Sequence, residues 1–344
     1  MKAMVLTGIR QMEMRDWPDP MIQEGHDVKI KLERVGVCGS DIHYYRTGKI
    51  GSQVVEFPFP VGHESGGTVV EVGDQVTKVR PGDRIAIEPA ISCGKCDQCL
   101  AGRPNTCRHT RFLGCPGQVE GCLTEYVVMP EENCFPIPDA MSFDEAAISE
   151  PLAIGLYSVR QSGLNESNKI GILGFGPIGM SVMLPAMSFG AKNIYVTDKI
   201  DERLHIAVQT GAVWTGNPDK EVVAETINQL EPFQLDVVFD CCGEQDAIDD
   251  ALKIVKPGGK IMLIGIPERQ KLCFDMDYMR RKEITLINVR RQRFCVQEAL
   301  DLMASGRVDV SSMATHRFSF RDTKKAFDLV DAYQDGVMKA MIQF

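Results

Sequence analysis

The fold of the second half of the chain is decided by residues 169–179, which read KIGILGFGPIG. The first five residues form an apolar run with the length of a buried strand, and glycines follow in the pattern G-x-G-x-x-G. Pro177 suits the first turn of a helix, where a missing N–H leaves no partner unsatisfied. The stretch therefore predicts a strand, a tight turn and a helix near 177–189.

The pattern is repeated on the C-terminal side of this stretch. Apolar strands are predicted at 193–197, 235–239 and 260–264. Helices are predicted near 201–210, 221–230, 245–255, 296–305 and 322–333, and a last strand at 338–342. Such alternation is typical of a parallel sheet with right-handed crossovers. Residues 1 to about 90, with short Val- and Ile-rich runs between turns, instead predict a β-rich region, and 90–121 reads as loop.

The glycine turn also carries a chemical prediction. Gly174 permits a tight turn, Gly176 lets a pyrophosphate approach the backbone, and Gly179 lets the helix pack against its strand. Asp198 lies nineteen residues beyond Gly179, where it would accept hydrogen bonds from adenosine ribose hydroxyls. Together these residues predict a dinucleotide site, with the helix N-terminus supplying N–H groups to the phosphates.

The choice between NAD and NADP depends on the charges near Asp198. Its carboxylate would repel a 2′-phosphate, which favours NAD. Lys199 and Arg203 are close enough in sequence to soften that preference, and Arg203 is a candidate cofactor contact. The alternative is a sheet of this type that has lost its cofactor.

Composition limits the remaining possibilities. The 344 residues are 44% hydrophobic and 25% charged, which excludes a disordered chain. A net charge of −9 argues against a nucleic-acid partner, which would need a basic surface. No apolar run approaches the length of a membrane span, and the N-terminus reads as a short strand rather than a secretion signal. We therefore expect a cytoplasmic protein with reduced cysteines.

Four of the 12 cysteines are spaced as metal ligands, because C-x2-C-x2-C-x7-C covers Cys93, Cys96, Cys99 and Cys107. Four thiolates can surround one Zn²⁺ tetrahedrally, which leaves no open position and makes the zinc structural. An iron–sulfur cluster is the rival, although the spacing differs from the ferredoxin patterns. Disulfides are the third alternative, with no secretion signal to support them.

Three further segments carry metal-capable side chains. They are Cys38–His43 (CGSDIH), Gly62–Glu64 (GHE) and Glu150–Pro151. Taken separately, each has an ordinary explanation, such as a cysteine in the core or a glutamate at a helix end. Sequence periodicity does not show whether the segments meet in space.

Taken jointly, these segments resemble a known family. C-G-S-D-x-H, G-H-E, the four-cysteine segment, E-P and G-x-G-P-I-G, in that order, are similar to the zinc-dependent medium-chain alcohol dehydrogenases over essentially the whole chain. Residues 38–51 (CGSDIHYYRTGKIG) are most similar to the polyol branch, the sorbitol and xylitol dehydrogenases. Threonine dehydrogenases are relatives, but they usually have Thr in place of Ser40.

The resemblance implies a fold and a set of cofactors. The expected fold is α/β, with a GroES-like β-rich catalytic domain (1–151 and 292–344) and a doubly wound parallel-sheet Rossmann domain (152–291) that binds NAD. Two Zn²⁺ per chain are implied, one catalytic and one structural. A homo-oligomer, tetramer or dimer, is implied as well.

The resemblance further implies a catalytic zinc held by Cys38, His63 and Glu64, with Glu150 close by. Glu150 stands where the alcohol dehydrogenases proper have a ligating cysteine, so direct ligation, ligation through water and exchange with Glu64 all stay open. A zinc in such a site lowers the pKa of an alcohol. By the same analogy Ser40 and His43 pass the alcohol proton to solvent through the nicotinamide ribose; for His43 a plain surface histidine is the alternative.

Other positions match cofactor or substrate contacts of the family. Tyr44 matches a substrate-contacting tyrosine of the polyol branch, and Ile178 matches a position beside the nicotinamide. Ile264, Gly265 and Ile266 match further positions beside the nicotinamide. Cys241 and Cys242 are interpreted as packing residues near the adenine side.

The chain departs from the polyol branch at Arg290-Arg291-Gln292, where that branch has Phe-Arg-Tyr. Arg291 keeps the central arginine as a candidate substrate contact, and Arg290 is a candidate cofactor contact. The surroundings are basic, with Arg293 and, upstream, Arg280, Arg281 and Lys282. Either these residues form a solvated or subunit-contact face, or some of them pair with a carboxylate or phosphate of the substrate.

The expected reaction is oxidation of a secondary hydroxyl of a polyol or sugar derivative, with hydride transfer to NAD. Within enzymes, the alternatives are an anionic sugar (sugar acid or sugar phosphate), L-threonine and a short diol. Outside enzymes, the alternative is a nucleotide-binding structural relative without catalytic zinc. The presence of Cys38, His63, Glu64 and Glu150 argues against that last alternative.

Overall fold

The computed structural model of the protein describes residues 1–269 and 271–344. Its strands are β1 (Lys2–Gly8), β2 (Gln11–Asp16), β3 (Asp27–Gly36), β4 (Lys49–Ile50), β5 (Gln53–Val54), β6 (Glu64–Val72), β7 (Arg84–Ile87), β8 (Ala90–Ile91), β9 (Arg111–Phe112), β10 (Tyr126–Pro130), β11 (Cys134–Pro136), β12 (Lys169–Leu173), β13 (Asn193–Thr197), β14 (Trp214–Gly216), β15 (Leu235–Asp240), β16 (Val255–Leu263), β17 (Thr285–Asn288), β18 (His316–Ser319) and β19 (Ala340–Gln343). Its helices are α1 (Gly39–Thr47), α2 (Asp97–Leu100), α3 (Phe143–Ser162), α4 (Pro177–Ser188), α5 (Asp201–Thr210), α6 (Val223–Leu230), α7 (Gln245–Ile254), α8 (Met276–Arg281), α9 (Val296–Ala304) and α10 (Thr323–Asp331).

The described residues divide into two compact units. The first comprises Met1–Glu150, Val296–Gly306 and Met313–Phe344. The second comprises Pro151–Cys295 and Arg307–Ser312. Each unit has its own apolar core, so each is described by itself.

The second unit is built on a six-stranded parallel sheet in the order β14-β13-β12-β15-β16-β17. Helices alternate with the strands, as parallel strands require. The alternation predicted from residue 169 onward is therefore confirmed, with helix ends within two residues of the expectation for α4 to α7. The strand order reverses between β12 and its neighbours β13 and β15, which is where ligands bind such sheets.

Cys241 and Cys242 can be placed relative to the glycine turn by the strand order. Cys241 and Cys242 follow β15, which pairs with β12 on the side opposite to β13. Asp198, the residue that marks the adenine side, follows β13. The two cysteines therefore follow a strand on the other side of β12 from Asp198, and their place near the adenine side stays a prediction.

The first unit contains a seven-stranded sheet centred on the ten-residue strand β3. One edge of β3 pairs with β6 along its length. The other edge pairs with β10 over residues 27–31 and with β19 over residues 34–36. Because β19 comes from the last residues of the sequence, the C-terminal segment completes a sheet that the N-terminal half begins.

Several boundaries differ from the expectation. Helix α10 ends at Asp331 rather than near 333, because Tyr333 and Asp335 adopt left-handed backbone conformations with φ of +50° and +53°. The last strand accordingly starts two residues late, at Ala340. Helices α1, α3 and α8 and strands β14, β17 and β18 were not predicted, and 90–121 holds short elements within the expected loop. In the described part of the chain, no helix is both long and apolar enough to cross a membrane.

Candidate metal and cofactor sites

The first candidate site is organised by the start of helix α1. Cys38 directly precedes this helix, and its N–H donates to Asp41 Oδ2 at 3.1 Å. An acidic residue in the first helical turn is favourable both as a cap and toward the helix dipole. The Ser40 hydroxyl lies 3.3 Å from Cys38 Sγ, to which it donates. The local capping geometry thus fixes the Cys38 thiol and the Ser40 hydroxyl side by side.

His63 and Glu64 reach the same place from the beginning of β6. One ligand atom each of Cys38, His63 and Glu64 lies within 4.8 Å of the other two. Asp41 Oδ1 lies 3.4 Å from His63 Nδ1 and accepts the N–H of Gly62 at 3.1 Å. A carboxylate on one imidazole nitrogen orients the ring so that the other nitrogen can bind a metal. Sequence analysis missed this role of Asp41, because helix α1, which places Asp41 three residues after its N-cap Cys38, was not predicted.

The ionisation of His63 reflects these neighbours. Burial lowers its pKa, but the charges of Asp41 and Cys38 outweigh burial and raise it well above the usual value. A zinc ligand must be unprotonated, so zinc binding at His63 would release a proton. One thiolate, one imidazole and one carboxylate are a donor set that fits a catalytic zinc, which keeps three protein ligands and an open position.

Glu64 has a buried partner that the sequence did not reveal. Lys339 Nζ lies 2.5 Å from Glu64 Oε2 and 3.3 Å from the carbonyl oxygen of Val37. Both charged side chains are 1% exposed. A buried charge persists only when it is paired and hydrogen-bonded, so Lys339 and Glu64 depend on each other. The two residues are 275 positions apart, and no local sequence signal links them.

Glu150 lies near this group but is outside the three-residue cluster. It is a buried residue of α3, 5% exposed. Burial raises the pKa of Glu150 to about 8. The negative charges of Glu64 and Glu88 also raise this pKa, whereas the positive charges of His63 and Lys339 oppose the increase. A carboxyl group whose pKa is near neutrality suits proton transfer or intermittent metal binding.

The four-cysteine segment forms a second cluster around α2. The four sulfur atoms of Cys93, Cys96, Cys99 and Cys107 lie within 4.8 Å of one another. Cys96 Sγ is 3.6 Å from Cys99 Sγ and 3.8 Å from Cys107 Sγ. Zn–S bonds of about 2.3 Å in a tetrahedron place sulfurs about 3.8 Å apart, so the donor set fits a structural zinc. Backbone N–H groups of Cys93 and His109 each donate to Cys107 Sγ at 3.3 Å, which stabilises a thiolate there.

The glycine turn of the second unit has the geometry that its sequence predicts. Gly174 has φ of +91°, a conformation that a side chain would strain. A Cβ on Gly179 would lie 2.1 Å from the carbonyl oxygen of Gly174, so the helix packs directly on the turn. Gly176 caps α4, and Pro177 is its first residue.

The carboxylate of Asp198 accepts two backbone hydrogen bonds at this turn. Its Oδ2 accepts the N–H of Phe175 at 2.6 Å, and its Oδ1 accepts the N–H of Ile200 at 2.8 Å. The guanidinium of Arg203 lies 4.0 Å from Asp198 Oδ2 and beside Gly176. The carboxylate is thereby fixed at the end of β13 before any ribose hydroxyl binds.

The loops after β15 and β16 are held together by Asp240. Its carbonyl oxygen accepts the N–H groups of Ile264 and Gly265 at 3.0 Å each, and its Oδ1 accepts the N–H of Gly243 at 2.9 Å. A Cβ on Gly265 would lie 2.2 Å from Gly243 N, so the loops are in close contact. Sequence analysis selected Ile264, Gly265 and Ile266 but missed Asp240, which positions them. Ile178 lies in the first turn of α4, and Ile266 is exposed.

The basic residues do not form one cluster. Arg280 and Arg281 pair with Asp277 of their own helix α8. Lys282 Nζ donates to the carbonyl oxygens of Leu252, Lys253 and Val255. These hydrogen bonds satisfy carbonyl groups at the C-terminal end of α7. These contacts favour a structural role for all three residues.

The other arginines follow β17. Arg293 lies over the ring of Tyr157, 5.9 Å from its centroid. Arg290 is exposed, and Arg291 is half-buried with φ of +51°. An unusual backbone conformation at a half-buried arginine is consistent with a positioned side chain.

His43 and Tyr44 lie on α1. His43 is half-buried, and its carbonyl oxygen accepts the Thr47 hydroxyl at 2.9 Å. Tyr44 is buried, and its hydroxyl donates to Gln53 Oε1 at 3.1 Å and lies 3.9 Å from Cys115 Sγ. Tyr44 is one helical turn beyond Ser40, on the same face.

Two family models match the chain. The alcohol dehydrogenase GroES-like domain matches residues 24–139, and the zinc-binding dehydrogenase domain matches residues 177–305. The first match contains Cys38, His63, Glu64 and the four cysteines, and the second begins at Pro177.

Similar proteins cover nearly the whole chain. A sorbitol dehydrogenase of Bacillus subtilis is 34% identical over 99% of this chain and 97% of its own length. An L-idonate 5-dehydrogenase of Vitis vinifera is 34% identical over 94% of this chain and 89% of its own length. A crystal structure described as a zinc-binding dehydrogenase from Sinorhizobium meliloti, bound to NADP, superposes with a TM-score of 0.90 at 30% identity. It covers 100% of this chain and 99% of its own.

Proposed function

The chain belongs to the zinc-binding alcohol dehydrogenase family, and from that premise we propose that it oxidises a secondary hydroxyl of a polyol or sugar derivative to a ketone, with NAD as hydride acceptor. The observation that carries the proposal is the group Cys38, His63 and Glu64, within 4.8 Å of one another beside the Ser40 hydroxyl. Names of the relatives favour the polyol class, since they include a sorbitol dehydrogenase.

We assign roles to the residues of the first unit on this basis. Cys38, His63 and Glu64 would hold the catalytic zinc, with Glu150 as an additional or exchanging ligand. A bound zinc supplies positive charge that favours deprotonation of the alcohol. The Ser40 hydroxyl, fixed beside Cys38 Sγ, would accept the alcohol proton and pass it on toward His43. Cys93, Cys96, Cys99 and Cys107 would hold the structural zinc.

The second unit would bind the cofactor. Gly174 and Gly179 shape the turn, and Gly176 leaves the backbone free for a pyrophosphate at the N-terminus of α4. Asp198 would accept the ribose hydroxyls, which supports NAD over NADP. Arg203 lies next to both Asp198 and Gly176, where its guanidinium could pair with the 2′-phosphate of NADP. The similar structure bound to NADP is the reason to test both cofactors. Ile178, Ile264, Gly265, Ile266 and Arg290 are proposed cofactor contacts.

An anionic sugar is the second candidate substrate. Arg291 has the unusual backbone conformation described above, and a relative of equal identity acts on L-idonate, a sugar acid. An arginine binds a carboxylate through two parallel hydrogen bonds, which a neutral polyol cannot match. Tyr44 and Arg291 are the proposed substrate contacts.

The organisation of the whole protein completes the proposal. We propose working domains of 1–151 with 292–344 and of 152–291, a homotetramer or homodimer, and a cytoplasmic location. The reduced state of the four-cysteine cluster that zinc requires supports the last point.

The test is NADH formation at 340 nm with zinc-loaded protein across a substrate panel. The panel holds sorbitol, xylitol, ribitol, galactitol, threonine, butanediol, aldonates and polyol phosphates, each with NAD and with NADP. Turnover of neutral polyols with NAD is expected. Turnover only of anionic sugars would show that the substrate is a sugar acid or sugar phosphate rather than a neutral polyol. No turnover of any substrate by protein with two zincs per chain would refute the substrate assignment.

A further inference from the structure

A hydrogen bond joins helix α1 to the short hairpin formed by β4 and β5. The Tyr44 hydroxyl donates to Gln53 Oε1 at 3.1 Å. Tyr44 is 4% exposed, and Gln53 is half-buried. A hydrogen bond between a buried tyrosine and a half-buried amide fixes the amide while leaving part of it accessible.

The bond lies beside the candidate catalytic residues. Tyr44 follows Ser40 by one helical turn, and the Ser40 hydroxyl is 3.3 Å from Cys38 Sγ. The segment from Phe112 to Cys115 contacts both the candidate metal ligand His63 and the Tyr44 hydroxyl. The Phe112 ring is 5.2 Å from the His63 ring, and Cys115 Sγ is 3.9 Å from the Tyr44 hydroxyl.

The free part of the Gln53 side chain is a donor. Its Oε1 is engaged by Tyr44, so the amide nitrogen presents two N–H groups. Among the described residues, no hydrogen-bond acceptor is assigned to that nitrogen, and it is not an enclosed polar atom. A pre-positioned and accessible N–H pair is suited to an oxygen acceptor on a bound molecule.

We propose that Gln53 determines substrate specificity by donating a hydrogen bond to an oxygen of the substrate on a carbon other than the one oxidised. The inference rests on the proposed function. Besides its proposed contact with substrate, Tyr44 positions Gln53, because its hydroxyl holds Oε1 and thereby directs the amide nitrogen outward. The acceptor is a hydroxyl of a longer polyol or a carboxylate of a sugar acid, and a short secondary alcohol lacks it.

The decisive variant is Gln53→Glu. It keeps an oxygen to accept the Tyr44 hydroxyl and removes both N–H donors at nearly constant volume. The quantity measured is the ratio of kcat/KM for xylitol to kcat/KM for 2,3-butanediol, with an aldonate as a third substrate. We expect the ratio to fall about tenfold, since one specific hydrogen bond has about that effect. The aldonate should lose more than xylitol, because two carboxylates repel.

Two further variants keep the test clear. Gln53→Leu removes the donor without adding charge and should lower the xylitol ratio to a similar extent. Ser52→Ala, at an exposed neighbour in the same hairpin, should leave the ratio within twofold of wild type. Zinc content and thermal unfolding of each variant establish that the fold is retained.

The outcomes separate the two proposals. An unchanged ratio in Gln53→Glu and Gln53→Leu, or an equal loss on both substrates, would overturn the role of Gln53 alone. Failure of the wild-type enzyme to oxidise any member of the panel would overturn the proposed function, and the role of Gln53 with it.

Discussion

Glu131 shows how much one buried carboxylate can contribute to the first unit. Its Oε2 accepts the N–H groups of Thr77 and Lys78 at 2.8 and 3.0 Å, and its Oε1 is 2.8 Å from His26 Nδ1. The hydrogen bond from Thr77 is the main cause that lowers the pKa of Glu131 to about 2, against the opposing effect of burial. Three separate segments of chain are thus joined through one side chain.

This arrangement predicts a pH-dependent loss of stability in Glu131→Gln. A lowered pKa in the folded state stabilises the protein above the unfolded value, near 4.5, and the stabilisation is lost as pH falls toward 2. The shift corresponds to about 3 kcal/mol at neutral pH. Urea unfolding between pH 7 and pH 3.5 should show wild type and variant converging below pH 4.5. Glu132→Gln, at an exposed neighbour, should differ from wild type by less than about 0.5 kcal/mol at every pH. A constant difference across the pH range would contradict the explanation.

Lys339 is a second residue whose importance is invisible in the sequence. Its ammonium group is enclosed with Glu64, and removing one partner of such a pair leaves the other buried and unpaired. We expect Lys339→Met to lower the free energy of unfolding by about 3–5 kcal/mol. Chemical unfolding of the zinc-loaded protein measures this, with Lys325→Met as the control at a lysine whose side chain is 76% exposed. Equal effects of the two substitutions would show that the buried pair does not stabilise the fold.

At the scale of elements, two glycines of the same turn have different roles: Gly179 allows the helix to pack, and Gly176 allows a ligand to approach the backbone. A Cβ on Gly179 would lie 2.1 Å from the carbonyl oxygen of Gly174, whereas a Cβ on Gly176 would meet only the side chain of Arg203, with Nη1 at 3.4 Å. Gly179→Ala should therefore lower stability by about 1–3 kcal/mol and weaken NADH binding as well. Gly176→Ala should keep the wild-type melting temperature but weaken NADH binding about tenfold or more, because its methyl group faces the pyrophosphate path. Calorimetry and fluorescence titration with NADH measure the two effects. Loss of stability in Gly176→Ala would contradict this division of roles.

Sequence analysis succeeded where a local pattern has one structural solution. The strand, the glycine turn and α4 are of this kind, because the spacing of the glycines, Pro177 and the apolar run all favour the same geometry. It failed where the determinant is distant in the chain. The contact of Lys339 with Glu64, the hydrogen bond of Tyr44 to Gln53 and the order of β13 and β15 around β12 depend on tertiary packing, for which the sequence has no periodicity.

At the scale of the molecule, the last strand explains why the first unit needs both ends of the described chain. Strand β19 lies between β3 and β18, and Lys339 immediately precedes it. The register of β19 on β3, with Met341 opposite Gly36, therefore also sets where Lys339 meets Glu64. The sheet and the candidate catalytic site are assembled by the same strand pairing.

We expect the loss of zinc to affect the fold differently at the two candidate metal sites. Helix α2 of the four-cysteine cluster has no buried residue, so that segment has little apolar packing to hold it without metal. By contrast, Glu64 begins strand β6 of the main sheet and His63 directly precedes it, and the neighbours of this strand are buried. Loss of the first zinc should unfold a segment, and loss of the second should leave the fold in place.

A matched pair of variants tests this difference. Cys99→Ser and His63→Ala should each reduce the zinc content from two per chain to one. Trypsin should then cut Cys99→Ser rapidly after Lys95 and Arg108, which are exposed at the two ends of the cysteine segment. His63→Ala should resist cleavage there as wild type does and yet lose NAD-dependent turnover. Because both variants lack one zinc, any difference in cleavage reports which metal orders the segment. Equal protection of the two variants would mean that the segment folds through its backbone hydrogen bonds alone, such as that from Arg103 N to Gln98 O at 2.8 Å.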